Sequence, residues 1–166
     1  VETIALAHPE VRFSLHTDGN LILEVFAEEK KRRIEAVLGK MPHVVEEEGI
    51  FGLLGAPEEA KLNRRGQYLF INKRPIVSGL IAKAVKAGFG TRIAEDAYPS
   101  FALFLTVPPE EVDVNVHPQK REVRFVDEAK IFRFCERMVA KAFEEKIFFT
   151  SPPFALQEEA VSYPLS

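Results

Sequence analysis

Tryptophan is absent from this 166-residue chain, cysteine occurs once and methionine twice. One cysteine excludes an internal disulfide and fits a reducing compartment. Cys135 sits in the apolar pattern FRFCERMV and reads as a small buried hydrophobe. No apolar run approaches the ~20 residues that span a bilayer. The first residues, VETIALAHPE, lack a basic start followed by an apolar stretch, so they do not read as a secretory signal. They also lack an initiating methionine, and we read the chain as a piece of a longer protein.

Reactive groups are equally scarce. There is no HExxH or paired Cys/His spacing for a metal, no GxxxxGK[ST] loop for phosphates and no serine elbow. The four histidines, His8, His16, His43 and His117, are scattered. Glu46 to Glu48 could hold a metal or form a solvated strand end; the second reading is preferred, and no metal site is expected. By this inventory the chain alone is not an enzyme.

What is present is an apolar fraction of 46 %, 28 % charged residues and fourteen phenylalanines, the composition of a globular domain with a Phe-rich core. The net charge of −3 excludes a surface that is basic throughout, but leaves room for a local basic strip.

Along the chain, TIALAHP reads as a helix end. Val11, Phe13 and Leu15 then alternate, Asp18-Gly19 supplies a tight turn, and Leu21, Leu23 and Val25 alternate back. AEEKKRRIEAVLG (27–39) is amphipathic, with acids in its first turn, Ile34, Val37 and Leu38 facing inward and Gly39 as a stop. Its run Lys30 to Arg33 reads as a solvated face. A domain boundary is placed at 39. Strands are predicted near 43–48, 50–55, 67–72 and 100–107. Between the last two lies a helix, IVSGLIAKAVKAG, ended by Gly88 and Gly90. A final helix runs from about 128 to 147, opened by Asp127. The tail 148–166, with Pro152-Pro153 and no period, reads as a disordered linker. Residues 40–147 are thus an α+β two-layer sandwich with both helices on one sheet face.

The remaining chemistry is cationic. Arg64, Arg65, Lys73 and Arg74 flank the strand QYLFIN, with Lys61 nearby and Lys83 and Lys86 on the next helix. They suit phosphate contacts or are ordinary surface charge. In DVNVHPQKREVRF (113–125) an alternating strand is broken at Pro118, which stiffens the chain beside Lys120. That lysine is either part of a plain turn or a charge held at a fixed place beyond the sheet.

The segment VDVNVHPQKREVRF, followed by a helix starting DEAKIFRF, resembles the signature of MutL-family DNA mismatch repair proteins. QYLFINKRPIVSGLIAKAVKAGF resembles the same family's strand, NxR turn and helix, and IALAHPEVRFSLHTDGNLIL the end of its ATPase domain. The resemblance implies that residues 1–39 are the C-terminal piece of an ATPase domain of the gyrase and Hsp90 class. Residues 40–147 are then a transducer domain with a left-handed βαβ crossover. It implies that Lys120 contacts the terminal phosphate of ATP, held with Mg2+ in the upstream domain, and that Asn115, His117, Pro118 and Arg124 shape its loop. Arg74, with Lys73, Arg64 and Arg65, becomes the candidate DNA contact. Val77, Ser78 and Gly79 stand where some relatives are basic. Implied partners are the upstream ATPase domain, a second subunit in a homodimer, a MutS-like mismatch recognition protein and duplex or single-stranded DNA. No membrane is implied, and the location is cytoplasmic. Two alternatives stand beside this reading: a nucleic-acid-binding module that works without nucleotide, and a purely structural dimerisation domain.

Overall fold

The computed structural model describes the backbone of residues 2–114 and 123–161, and the side chains of 2–113 and 123–144. Helix α1 (Glu2–Ala7) leads into the hairpin of β1 (Phe13–Thr17) and β2 (Asn20–Val25). Asp18 and Gly19 adopt φ of 52° and 78°, the left-handed pair that a two-residue hairpin turn requires. Helix α2 (Lys30–Leu38) follows and stops at Gly39, whose φ is 87°. Its first turn holds no acid, because the helix starts at Lys30 and Glu29 occupies the N-cap. The expected acids therefore stand before the helix rather than in it.

A five-stranded sheet carries the rest. Its strands are β3 (His43–Glu47), β4 (Ile50–Leu54), β5 (Gln67–Ile71), β6 (Arg74–Ile76) and β7 (Phe101–Leu105), in the order β3-β4-β7-β5-β6. β5 and β7 are parallel neighbours, and the other pairings are antiparallel. Helix α3 (Gly79–Phe89) makes the crossover between the parallel pair. A small hairpin of β8 (Val112–Val114) and β9 (Val123–Phe125) precedes α4 (Glu128–Val161).

Strand alternation divides the sheet cleanly. Leu69, Ile71, Leu103 and Leu105 point to the face covered by α3 and α4, where they meet Ile81, Val85, Cys135 and Val139. Phe70 and Ala102 point to the other face, where Leu6, Ile34 and Met41 complete a second cluster. The expected two-layer sandwich is present, and α1 and α2 add cover on its opposite side. Gly88 lies inside α3, where a Cβ would come 2.6 Å from that of Val139. It permits helix contact and does not end the helix; Gly90, at φ 60°, does that.

Two more boundaries depart from expectation. Ile76 belongs to β6, and Ser78 caps α3 by accepting from the Ile81 amide, so the helix starts at Gly79. Pro75 sits on an edge strand, where a missing N–H costs nothing in the ladder. Helix α4 continues past residue 147 to Val161, through the segment expected to be irregular. Proline's fixed φ is compatible with a helical path, and Ala155 to Ala160 are mostly strong helix formers.

The largest correction concerns the run Lys30 to Arg33. Arg33 is 0 % exposed. Its Nη1 donates to the carbonyls of Ala5 at 2.6 Å and His8 at 2.9 Å. Its Nη2 donates to those of Pro9 at 3.0 Å, Val11 at 2.5 Å and Phe26 at 2.6 Å. Nε faces Glu28 at 3.4 Å, which supplies the countercharge. The phase of α2 that buries Ile34 carries its neighbour Arg33 inward with it.

Arg33→Met should lower stability by roughly 3–5 kcal/mol, because buried carbonyls lose their donor. Arg33→Lys should recover little, since an ammonium lacks the planar fork. Urea unfolding measures both, and an unchanged midpoint for Arg33→Met would contradict this account. Burial pushes the Cys135 thiol up to about 12. It should therefore resist alkylation at about pH 8 until the chain is unfolded, as mass spectrometry would show.

Candidate functional site

The β8–β9 hairpin fixes the two ends of the segment that holds the Pro118 break. Val114 pairs with Val123, Asp113 with Arg124 and Val112 with Phe125. Phe125 is buried in the main core, and Val126 N–H donates to the Glu111 carbonyl at 3.0 Å. The hairpin is thereby tied to the sheet end and to the start of α4. Beside its root lies a cleft of about 350 Å³, lined among others by Thr106, Val107, Glu111, Ile131, Arg133 and Arg137. Arg124 is exposed on β9, opposite Asp113. Asn115, His117, Pro118 and Lys120 lie outside the described residues.

The cations flanking β5 occupy opposite ends of that strand, separated by roughly 16 Å of extended chain. At its start, the Arg64 guanidinium lies 5.3 Å from the Tyr98 ring centroid. The Lys86 ammonium lies 5.2 Å from the same centroid and donates to the Glu95 carbonyl. Lys61 joins them through paired backbone bonds with Tyr98, 2.9 and 2.7 Å long. Arg65 is exposed, its N–H donating to Asn63 Oδ1 at 3.1 Å.

At the far end, the β5–β6 turn is locked from within. Asn72 and Lys73 take φ of 50° and 69°. The Asn72 side chain donates to the Val107 carbonyl at 2.9 Å and accepts from the Val107 amide at 3.0 Å, while its own N–H donates to Leu105 O. A side-chain amide thus extends the β5–β7 ladder by one step, which repays the left-handed backbone. Arg74 is two residues before buried Ile76 on β6 and so shares its face, the one covered by α3 and α4.

Lys73 instead has Lys30 as its neighbour. The Lys30 ammonium stands 4.7 Å from the Phe104 centroid and 5.5 Å from that of Phe51. Burial against these rings lowers its pKa, as does the like charge of Lys73, with Glu10 opposing. Glu10 is held below the usual carboxylate range by a backbone hydrogen bond, by His8 and by Lys73. Sequence reading named Lys73 and missed Lys30, which no local signal distinguishes from Lys31 or Arg32. Tyr98 was missed as well. Among the described residues no group of three His, Cys, Asp or Glu is placed to hold a metal, and no helix is long and apolar enough to cross a membrane.

Comparison with known proteins agrees with this geometry. A family model described as "DNA mismatch repair protein, C-terminal domain" matches residues 25–144. The DNA mismatch repair protein MutL of Azorhizobium caulinodans is 36 % identical over 168 residues, covering 93 % of this chain and 27 % of that protein. The MutL of Rickettsia bellii is 32 % identical over 192 residues, covering 100 % of the chain and 31 % of its own length. The chain thus spans about a third or less of these relatives. Two solved structures share the fold. The N-terminal domain of a DNA repair protein gives a TM-score of 0.65 at 20 % identity, over 87 % of this chain and 51 % of its own. A point variant of the Aquifex aeolicus MutL ATPase domain gives 0.55 at 24 %, over 83 % and 48 %. The chain belongs to the MutL family of DNA mismatch repair proteins, as a copy of the domain that the family model describes.

Proposed function

We propose that this chain is the transducer part of a mismatch repair ATPase, with residues 1–39 ending the ATPase domain, 40–147 forming the transducer and 148–166 leading onward. Its task is to present Lys120 to the terminal phosphate of ATP held in the upstream domain. The observation that supports this is the β8–β9 hairpin: paired strands, anchored in the core at Phe125, frame the stretch that contains the HPQK motif. ATP and Mg2+ would be held by residues upstream, and this chain would contribute one ammonium. Concentrated charge on a terminal phosphate is stabilised by a cation held in place beforehand. The chain alone neither binds nor hydrolyses ATP.

The same reading makes the whole protein a cytoplasmic DNA-binding dimer that works with a MutS-like partner. Arg64, Arg65, Lys73 and Arg74 are its candidate DNA contacts, in two groups rather than one strip. That division disfavours a self-sufficient nucleic-acid module, which needs its cations on one track.

Lys120→Met in the intact protein should lower ATP turnover by about 100-fold or more, with fold and thermal midpoint retained. Steady-state ATPase assays with circular dichroism as the control test this. Wild-type turnover in the variant would overturn the proposal.

A further inference from the structure

Two lysines from distant parts of the chain are brought together without an acid of their own between them. Lys30 opens α2, and Lys73 sits in the β5–β6 turn. Each is held by a separate device. Lys30 lies over Phe104 and Phe51, with both ring centroids within 5.5 Å. Lys73 takes a left-handed backbone, fixed by the two Asn72–Val107 hydrogen bonds. Both side chains are exposed, so neither is placed there by core packing.

Electrostatics alone would separate them. The like charge of Lys73 lowers the proton affinity of Lys30, and Lys30 also begins a helix whose first turn has no acid. Glu10 is the acid that interacts with both, and it is shared with His8 at 3.3 Å. Arg74 cannot join them, because its strand position directs it to the other sheet face.

We propose that Lys30 and Lys73 form a two-lysine phosphate site at the seam between α2 and the sheet, and that its ligand is the backbone phosphate of nucleic acid. An open pair of exposed ammonium groups suits a polymer passing over the surface. A nucleotide is taken in a concave site by convergent groups. Glu10 then occupies the position of a displaceable anion in the free protein. The inference rests on the reading that the protein handles DNA, and it assigns that contact to a residue of α2 as well as to the transducer.

The test is the salt dependence of duplex DNA binding by the intact protein. Lys30→Gln and Lys73→Gln should each reduce the slope of log K against log salt by about 0.9, and the double variant by about twice that. Glu10→Gln should raise affinity roughly two- to fivefold, by removing an exposed competing acid. Lys31→Gln, one residue on and exposed, should leave the slope unchanged. Equal losses for Lys31→Gln would mean diffuse charge and overturn the site. A changed KM for ATP with an unchanged DNA slope would assign the phosphate to the nucleotide and overturn it too. An unchanged slope alongside Lys120-dependent turnover would remove this inference and leave the proposed function standing. Loss of that Lys120 dependence with the slope effects intact would do the reverse.

Discussion

One guanidinium organises the first third of the molecule. The β1–β2 hairpin leaves Leu21 and Ile22 exposed, and α1 is a six-residue helix, so neither could hold its place by burial alone. Arg33 ties them together by donating to carbonyls in α1, in the loop after it and at the exit of β2. These backbone oxygens come from residues 7 to 28 positions away in sequence. Isolated, such a buried charge would cost several kcal/mol, and here Glu28 and five carbonyls offset that cost. The Phe13 ring lies beneath it, 5.7 Å from the guanidinium carbon. The orientation of α2 follows from this arrangement, and with it the insertion of Ile34 against Phe70 and the placement of Lys30 over Phe104.

The sheet then distributes what α2 and the loops bring to it. Because side chains alternate along each strand, one residue's difference in position decides which helix layer a group meets. Phe70 and Phe104 stack at 4.7 Å on the α2 side, while Leu69, Ile71 and Leu103 join α3 and α4 on the other. Tyr68, on the α2 side, donates to Glu2 at 2.9 Å, so α1 is also tied to the sheet through a polar contact. Parallel pairing of β5 and β7 brings their C-terminal ends together. The Asn72 clamp, the Lys73 turn and the approach to the β8–β9 hairpin therefore gather at one end. Arg64 and Lys86 are left at Tyr98, near the other.

Features governed by near neighbours were legible in the sequence. Asp18-Gly19 announced its hairpin, and alternation in QYLFIN and SFALFLTV announced two core strands. The stripe Ile81, Ala84 and Val85 announced the buried face of α3. A three-residue edge strand has no period to read, so Arg74 to Ile76 passed as turn and helix start. Gly88 carried the signature of a helix stop, yet its reason lies in Val139, fifty-one residues later. Arg33 was illegible for the same cause. Four consecutive cations look alike until the carbonyls that select one of them are placed. The same limit hid Lys30, whose partners Phe51 and Phe104 come from two separate strands.

These contacts bear on how the parts could move. A flexible joint at residue 39 would require few interactions across it. Instead, Leu6 and Ile34 from one side pack with Leu53, Phe70 and Ala102 from the other, all of them essentially closed to solvent. Separating them would expose a continuous apolar cluster, at about 25 cal/mol for each Å² uncovered. The step at residue 39 is consequently a change of layer, and α1, α2 and the sheet should travel as one body. The β8–β9 hairpin is built differently, with three paired residues on each strand and Phe125 as its buried anchor. Any rearrangement that changes where the Pro118 segment reaches is therefore easier at this hairpin than at the α2 seam. The cleft at its root, between Thr106 and Arg137, is where such a shift would first alter packing.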